Sequence, residues 1–399
     1  MRKVVIIEAK RTPVGSFQGA LSSLTAPQLG SLVIKDLLEK TNINPHEIDE
    51  VIMGNVLSAG IGQAPARQAA LLAGLPEKTE CLTINKVCGS GLKAVMLAQQ
   101  AIMCSDADVI IAGGMESMSN APYLLHDARN GYHLGHGKII DSIIQDGLWD
   151  VYNNIHMGSC AEACAKEQKI TREEVDSFTV ESYKRALQAQ ENKVFEREIT
   201  SVTIQSKKES INVTINVTED EEPKKVKFDK LPTLKPTFEK DGIITAANAS
   251  SLNDGAAAVL MMSEEKAKSL GLNPLVEILG QSSAARKPIE FPIAPVDAIA
   301  KGISKLGMSI TEIDLFEINE AFAVVSVAVN KLLNLDSSKV NVNGGAIALG
   351  HPIGASGARI LSTLIHELRR RNLHYGLASL CIGGGEASAI VVKNYDVKK

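Results

Sequence analysis

The feature that most constrains the fold is a pattern that occurs twice in the 399-residue chain. The paired segments are residues 4–7 with 275–278, 90–91 with 356–357, and 113–114 with 384–385. Their offsets of 271, 266 and 271 residues are nearly equal, which indicates a duplicated unit. Short apolar segments bounded by turn signals are typical of buried strands. The chain is therefore predicted to form two similar α/β halves, whose glycine-rich loops meet at a shared centre.

Strand-like and helix-like segments alternate within the first half. Residues 4–7, 50–53 and 108–112 have the composition of buried strands, and residues 28–41 and 64–73 that of helices. This alternation favours an α/β layer structure. The strand at 109–112 is expected to run into a glycine-rich loop at 113–117, where open α/β sheets place ligands.

The segment between the halves, from about residue 121 to 249, has a different residue pattern and is interpreted as an insertion over one face of the sheet. Helices are predicted at 158–168 and 172–190, and residues 130–137 are expected to be irregular. The charge run at 219–225 is expected to be a solvated loop.

A cysteine, Cys88, lies at a predicted junction between a strand and a helix. Gly89 and Gly91 permit a sharp turn there and leave room for a ligand beside the backbone. The partial positive charge of a helix N-terminus favours a thiolate, so we expect a pKa below the ~8.5 of a free cysteine. An arbitrary cysteine is more often a small buried core residue, so this site depends on the rest of the chain.

Composition excludes several classes of function. A net charge of −4 argues against nucleic acid as the main partner, and no apolar run is expected to span a membrane. The six cysteines lack disulfide or zinc-site spacing, and Cys160 with Cys164 is a helical i, i+4 pair, so reduced thiols are expected. A strand that begins at residue 3 predicts a cytoplasmic location, or a mitochondrial one if a leader was removed.

Three further polar residues lie in glycine-rich or turn-like segments of the second half. Asn319 could simply cap a helix, His351 could stabilise a turn between glycines, and Cys381 could be a core thiol. Together with Cys88 they form a set of two thiols, an amide and an imidazole on two matching halves. Such a set provides a nucleophile and its bases.

Four ordered motifs resemble those of the thiolase family. They are Asn85-Lys86-Val87-Cys88-Gly89-Ser90-Gly91, Asn319-Glu320-Ala321-Phe322, Gly350-His351-Pro352-Ile353-Gly354 and Cys381-Ile382-Gly383-Gly384-Gly385. The resemblance extends from Val4 to Val391. Residues 156–162 and 288–295 are similar to those of the animal mitochondrial acetyl-CoA acetyltransferases within that family.

The resemblance implies a duplicated, layered α/β fold with an inserted loop domain. The N-terminal half would comprise residues 1–120 and 250–271, the loop domain 121–249, and the C-terminal half 272–399. It also implies a homo-oligomer, with a tetramer built as a dimer of dimers expected.

The activity implied is condensation of two acetyl-CoA molecules to acetoacetyl-CoA and CoA, and the reverse cleavage. Cys88 would carry the acetyl group, and His351 would take the thiol proton. Cys381 would remove the α-proton of the second acetyl-CoA. The N–H groups of Cys88 and Gly383 would hold the tetrahedral oxyanion, and His351 with a water positioned by Asn319 would hold the enolate.

The resemblance also implies binding residues but no tightly bound cofactor. Coenzyme A, as substrate and product, would contact Leu148, His156, Met157, Lys225 and Ser250, and Phe322 with Met157 would narrow the acyl pocket. Lys225 stands in Pro223-Lys224-Lys225 where relatives often have a Tyr-x-Arg pattern, so the charge is kept without the planar fork. A K⁺ activator would be held by Tyr183, Ala246, Ala247, Ala249 and Ile347.

Three alternatives remain open from the sequence. A degradative 3-ketoacyl-CoA thiolase would cleave longer chains with the same residues. A ketoacyl-carrier-protein synthase shares the fold but typically uses two histidines with its cysteine, whereas this chain has Cys381 at the second base position. A non-catalytic lipid carrier or scaffold of the same fold would not need the four polar residues.

Overall fold

The computed structural model describes residues 2–208 and 211–397. The strands are β1 Val4–Arg11, β2 Gly15–Ser16, β3 Glu50–Gly54, β4 Glu80–Ile84, β5 Val109–Ser117, β6 Tyr123–Leu124, β7 Ile140–Asp141, β8 Trp149–Asp150, β9 Ile155–His156, β10 Val202–Lys208, β11 Ile211–Val217, β12 Asn253–Ser263, β13 Val276–Ala285, β14 Leu315–Ile318, β15 Tyr375–Ile382 and β16 Glu386–Asn394. The helices are α1 Ala26–Thr41, α2 Pro65–Leu72, α3 Ser90–Cys104, α4 Met157–Glu167, α5 Arg172–Glu191, α6 Glu264–Ser269, α7 Ala294–Lys305, α8 Ala323–Leu333, α9 Ala346–Leu349 and α10 Ser356–Arg371. The predicted strands and helices are all present, but β1, β5 and β13 extend four to seven residues beyond their expected ends.

One large mixed sheet carries both halves of the chain. Its strand order is β14-β15-β16-β13-β1-β12-β5-β3-β4, with β2 paired to β12. Outward from the β13–β1 seam, each side has two antiparallel pairings followed by a parallel one. The N-terminal side adds a second parallel pairing, between β3 and β4. The two halves thus repeat the same pairing scheme in opposite directions, and the predicted duplicated, layered α/β fold is confirmed.

The glycine pair in the repeat was wrongly matched. Helices α3 and α10 begin 266 residues apart, at Ser90 and Ser356, and strands β5 and β15 begin at the same spacing. Gly113 lies inside β5, whereas Gly384 lies in the turn after β15 with a φ of 88°. The 271-residue match between these glycines is therefore a coincidence of composition.

Helices lie on both faces of the sheet. Helices α1 and α2 pack on the outer face of the N-terminal half. Helices α7 and α8 contribute to the matching cluster of the C-terminal half. Between the halves, α3 and α10 pack on each other and on strands of both sides, with most of their residues buried. This central position brings the N-termini of α3 and α10 together.

Local sequence explains where two long helices begin. Thr25 caps α1 and Thr171 caps α5, each in a reciprocal pair with the Gln or Glu three residues later. Helix α1 ends at Asn42, whose left-handed φ of 52° suits asparagine.

The expectation that no apolar run could span a membrane was too strict. Among the described residues, the helical segment Val87–Cys104 is long and apolar enough by length and composition, with a mean hydropathy of 1.2. It contains α3, and 56% of the segment is buried inside the protein. Burial against α10 and against strands of both halves of the sheet explains its apolar character, because a core helix needs apolar residues on every side.

The charge run at 219–225 is not simply a solvated loop. Asp220 is buried, and Arg11 at the end of β1 donates to both of its carboxylate oxygens, at 2.7 and 3.0 Å. The backbone N–H of Val14 donates to the same carboxylate at 2.8 Å. A charged segment can thus anchor a fold when one of its carboxylates meets a buried guanidinium.

Candidate active site

A tight turn between β4 and α3 holds Cys88. The hydroxyl of Ser90 donates to the Val87 carbonyl oxygen at 2.7 Å and accepts from the Lys86 N–H at 2.8 Å. Val87 has a φ of 45°, an uncommon conformation for a β-branched residue. A Cβ on Gly89 would lie 2.4 Å from Ile382 Cδ1, so glycine lets the end of β15 pack against the turn. The turn places Cys88 beside the C-terminal half.

The expectation of a lowered pKa for Cys88 is wrong. Desolvation by the surrounding protein raises the pKa of this thiol to about 11, and the buried Glu116 carboxylate adds to the rise. The nearby backbone N–H groups of Gly383 and of Cys88 itself lower the pKa only in part. The thiol is therefore protonated at neutral pH and needs a base to become a nucleophile.

His351 is buried and held from two sides. Its N–H donates to Asn253 Oδ1 at 2.8 Å, and its Nδ1 lies 2.6 Å from the Ser356 hydroxyl. That hydroxyl donates to the Pro352 carbonyl oxygen at 2.9 Å, so it accepts from Nδ1–H. Nε2 therefore carries the lone pair of the imidazole, and this lone pair faces the Asn319 amide nitrogen. Burial, with a further contribution from Arg359, lowers the pKa of His351 to about 3 and keeps the imidazole neutral.

Asn319 follows β14 directly and does not cap a helix, because α8 begins at Ala323 with Phe322 at its cap position. Its amide nitrogen lies 3.5 Å from His351 Nε2. Its carbonyl oxygen accepts from Arg359 Nη2 at 3.4 Å. Arg359 is a buried residue of α10 that the sequence reasoning missed, and it orients the Asn319 amide toward the imidazole.

Cys381 lies in β15 and is buried. Burial and the neighbouring Cys88 raise the pKa of its thiol well above the ordinary value. After Gly383, Gly384 and Gly385 turn the chain into β16 with φ values of 88° and 90°. These conformations favour glycine. The Gly383 N–H just before them lies near enough to Cys88 to lower the pKa of its thiol in part.

Glu116 is a second residue that sequence reasoning missed, because 113–117 was expected to be a loop and is the end of β5. Its buried carboxylate accepts from the Asn55 side chain and from the N–H groups of Val56, Leu57 and Gly354, at 2.8 to 3.1 Å. Burial raises the pKa of Glu116 to about 7. This carboxylate ties the end of β3 to the loop that carries His351.

The glycines of β5 allow a close approach of neighbouring backbone. A Cβ on Gly113 would lie 2.1 Å from the Ala257 carbonyl oxygen, and one on Gly114 would lie 2.0 Å from the Gly354 carbonyl oxygen. The loop from Gly350 to Gly354 therefore rests directly on the strand. These glycines lie in a strand and not in a loop, and they allow neighbouring backbone to approach that strand closely.

Three of the six predicted coenzyme A residues lie around the two cysteines. Leu148 and Cys88 both pack against one small apolar cluster, and Met157 and Phe322 share a core cluster with Cys381. A cavity of about 220 Å³ has Val87, Met157 and Gly383 in its lining, together with residues of the 145–152 segment. The cavity reaches the neighbours of Cys88 on both halves of the chain.

The other three predicted coenzyme A residues, His156, Ser250 and Lys225, contact different parts of the surrounding structure. His156 stacks on Phe238 with ring centroids 4.7 Å apart, and Phe238 meets Phe322 edge to face at 6.2 Å. Ser250 donates to the Ala321 carbonyl oxygen at 2.9 Å. Lys225 does not line the cavity: its ammonium group donates to the Ser16 hydroxyl.

The residues predicted for K⁺ present oxygen atoms of the right kind. The carbonyl oxygens of Ala246, Ala247 and Ala249 accept no hydrogen bond from any residue the structure describes. Burial, with smaller contributions from Glu222 and Glu320, raises the pKa of Tyr183 to about 12, so its hydroxyl stays neutral. Ile347 lies in α9, and its N–H donates to Glu320 Oε2 at 3.2 Å. Neutral oxygens near carboxylates fit a hard monovalent cation.

Comparison with known proteins identifies the family. The N-terminal domain of thiolases matches residues 4–265, and their C-terminal domain matches residues 272–394. The chain belongs to the thiolase family. As a thiolase it is an acyltransferase enzyme, in agreement with its two-cysteine site.

Full-length relatives support this assignment. This thiolase is similar to the mitochondrial acetyl-CoA acetyltransferase of Homo sapiens, with 50% identity over 400 residues that cover 98% of this chain and 91% of the relative. It is similar to the crystal structure of the Bacillus anthracis acetyl-CoA acetyltransferase, with a TM-score of 0.96, 44% identity and 99% coverage of both chains. A thiolase from Ascaris suum, solved in complex with coenzyme A, gives a TM-score of 0.93 and 42% identity, and covers 99% of this chain and 100% of that one.

Proposed function

We propose that this thiolase is an acetyl-CoA C-acetyltransferase, which condenses two acetyl-CoA molecules to acetoacetyl-CoA and CoA and also catalyses the reverse cleavage. The observation that carries the proposal is the packing of the turn that holds Cys88 against the end of β15, which brings together thiols from the two halves, Cys88 and Cys381. Cys88 also packs against the cluster that contains Ile353, in the loop that carries the neutral imidazole of His351. The names of the human and bacterial relatives and the complex of the Ascaris thiolase support the choice of substrate.

The first half-reaction transfers an acetyl group to Cys88. Nε2 of His351 takes the thiol proton, and the thiolate attacks the thioester carbonyl of acetyl-CoA. The N–H groups of Cys88 and Gly383 hold the oxyanion. When the tetrahedral intermediate collapses, the C–S bond to CoA breaks and Cys381 protonates the departing CoA thiolate.

The second half-reaction forms the carbon–carbon bond. The Cys381 thiolate left by the first step removes the α-proton of a second acetyl-CoA, and the enolate oxygen is held by His351 and the water positioned by Asn319. The enolate carbon attacks the acetyl-Cys88 carbonyl, acetoacetyl-CoA departs, and His351 returns its proton to Cys88. Each group ends in its starting state, so the cycle balances.

The alternative is a degradative thiolase of broader chain length. Met157 and Phe322 are buried in the cluster that contains Cys381, which favours a short acyl group. Cleavage of acetoacetyl-CoA by CoA, compared with cleavage of a 3-ketoacyl-CoA of eight or more carbons, separates the two. A strong preference for the short substrate is expected. Equal or faster cleavage of the long substrate would assign the protein to fatty-acid degradation, and no cleavage of either would indicate a lipid carrier or scaffold.

We also propose K⁺ as an activator, because Tyr183 and the alanine carbonyls provide neutral oxygen ligands beside two carboxylates. The same cleavage assay with K⁺ replaced by Na⁺ at constant ionic strength tests this. A faster rate or a lower KM in K⁺ is expected, and Tyr183→Phe should reduce the difference. Identical rates in both salts would contradict the proposed K⁺ site.

We further propose a homo-oligomer, with a tetramer expected. Strand β4 lies at the end of the sheet and exposes Leu82, so its free edge can pair with a second copy. Exposed apolar residues also cluster in the 121–249 segment, namely Tyr123, Leu125, Tyr132, Leu134 and Ile139. Light scattering after gel filtration would give the mass, and a monomer would contradict the proposal.

The three-part domain division and a cytoplasmic or mitochondrial location are also proposed. The cysteines, which form no disulfide within the described residues, suit a reducing compartment. Imaging of the tagged full-length chain tests the location, and secretion would contradict it. Limited proteolysis tests the division, since first cuts are expected within residues 121–249.

A further inference from the structure

A large cavity of the protein lies away from the two cysteines. It has a volume of about 670 Å³ and is formed by the C-terminal end of α5, the turn at 193–197 and the C-terminal end of α10. None of the catalytic, coenzyme A or K⁺ residues predicted above lines it. We refer to it as the α5–α10 pocket. Its volume is within the range of small-molecule sites in proteins.

The α5–α10 pocket is strongly basic in a protein of net charge −4. Its lining contains six permanent cations, Arg185, Lys193, Arg197, Arg369, Arg370 and Arg371, and one carboxylate, Glu196. A concave surface lined by one sign of charge focuses its potential and concentrates ions of opposite sign. The pocket is therefore suited to an anion.

Neighbouring carboxylates neutralise only part of this charge. Arg370 and Arg371 share the single carboxylate of Glu367, and Arg369 pairs with Asp396. These three arginines also complement the negative end of the α10 dipole, which gives them a structural reason to be there. The argument for a ligand therefore depends on the cations that α5 and the turn supply.

The cations of α5 and the turn form fewer ion pairs than the arginines of α10. Lys193 and Arg197 are exposed and form no ion pair with any residue in the described parts of the chain. Arg185 pairs with Glu181 and donates to the Val340 carbonyl oxygen at 2.7 Å, which fixes its guanidinium at the pocket wall. Counting Glu181, Glu196, Glu367 and Asp396 against the six cations leaves a net charge of +2.

The backbone at Lys193 adds an independent observation. This residue directly follows the C-cap Asn192 of α5 and has a φ of 54°. The position after a helix end in this conformation is usually occupied by glycine. A lysine here places a positive charge at the pocket in a conformation that disfavours side chains, and replacement by glycine should preserve the helix end.

We propose that the α5–α10 pocket binds a small anion with several phosphate groups, such as a nucleotide or an inorganic polyphosphate. Arginine forks match the geometry of phosphate oxygens and bind them in pairs, and a predominantly polar wall suits a hydrophilic ligand. The site is separate from the coenzyme A residues and does not depend on the proposed acetyl transfer.

Isothermal titration of the full-length protein with inorganic tripolyphosphate tests the proposal, with CoA at saturation so that phosphate positions around the active site are filled. We expect one tripolyphosphate per chain with a Kd at or below about 1 mM, and weaker binding as salt rises. The double variant Lys193→Gly with Arg197→Gln should weaken binding by about tenfold or more, because it removes both unpaired cations.

The matched control is Lys35→Gln, which removes an exposed lysine from α1, far along the chain from the pocket, and should leave the affinity unchanged. Parallel titrations with ATP and citrate define the ligand class. If ATP and tripolyphosphate bind equally tightly, the pocket recognises the phosphate chain. If ATP binds more tightly, the ligand is a nucleotide. The proposal fails if tripolyphosphate does not bind, if the double variant binds it equally well, or if citrate binds more tightly.

Discussion

The hydroxyl of Ser356 lies 2.6 Å from Nδ1 of His351 and donates its own proton to the Pro352 carbonyl oxygen. Because the hydroxyl proton is committed to the carbonyl, Nδ1 carries the imidazole proton and Nε2 keeps its lone pair. The first residue of α10 thus selects the tautomer in which His351 can act as a base.

Replacing Ser356 by alanine should therefore lower the rate of acetoacetyl-CoA cleavage roughly tenfold to a hundredfold, since the proton on Nδ1 loses its acceptor. Steady-state kinetics measure the change, and kcat should fall more than KM rises. Ser362→Ala is the matched control on the same helix. The buried Ser362 hydroxyl has no hydrogen-bond partner among the described residues, so its loss should leave kcat unchanged. Equal effects of the two substitutions would contradict the role of Ser356.

Removing each of the two thiols in turn should affect acetylation and condensation differently. Cys88→Ala should abolish acetylation of the protein by acetyl-CoA, because the proposed acceptor is gone. Cys381→Ala should still be acetylated, detected as one added acetyl group by intact mass spectrometry, but should condense at least about a hundredfold more slowly. Cys104→Ser, at an exposed position, serves as the control. Normal condensation by the Cys381 variant would overturn the assignment of the base.

The raised pKa of Cys88 predicts how its reactivity depends on pH. Only a small fraction of a thiol with a pKa of about 11 is ionised near neutrality, and that fraction grows as pH rises. Alkylation of Cys88 by iodoacetamide should therefore accelerate roughly tenfold per pH unit between about pH 7 and 9. Peptide mapping follows the modified residue. A rate that levels off within that range would mean that the thiol ionises at a lower pH than its desolvation implies.

Gly114 should be far less tolerant of substitution than a glycine with flexible neighbours. An added Cβ would lie 2.0 Å from the Gly354 backbone oxygen, so Gly114→Ala must displace the loop that carries His351. A loss of about 1–3 kcal/mol in the free energy of unfolding is expected, together with a fall in activity. At Gly280 the nearest atom is the flexible end of Leu306, at 3.1 Å, so Gly280→Ala should cost much less. Urea unfolding of both variants provides the comparison.

The sequence predicted those parts of the protein that depend on local pattern. The apolar strands and the periodic helices α1, α4 and α5 were confirmed because periodicity and capping residues act within a few positions of the chain. The duplication was detectable because both halves repeat the same pairing scheme. Cys88, Asn319, His351 and Cys381 were found through their motifs, and the structure brings them into one region.

The features that were missed or misjudged depend on contacts between distant segments. Gly113 and Gly114 have the composition of a loop, and only the backbone packed against them shows why a strand tolerates them. The burial of Asp220 requires Arg11, more than two hundred residues away. The pKa of Cys88 was misjudged because helix position is visible in sequence, whereas desolvation by the opposite half is not.

The position of β12 has a consequence for synthesis of the chain. This strand lies between β1 and β5, and pairs with β5 over residues 254–262 and with β1 over residues 257–263. It nevertheless follows β5 by more than one hundred residues. On a ribosome that adds about 5–20 residues per second, β5 emerges roughly ten seconds or more before the strand that joins it to β1, and β1 emerges earlier still. The nascent N-terminal half therefore presents two unsatisfied strand edges during translation. A chaperone that shields such edges would matter most in the interval before residue 263 leaves the exit tunnel.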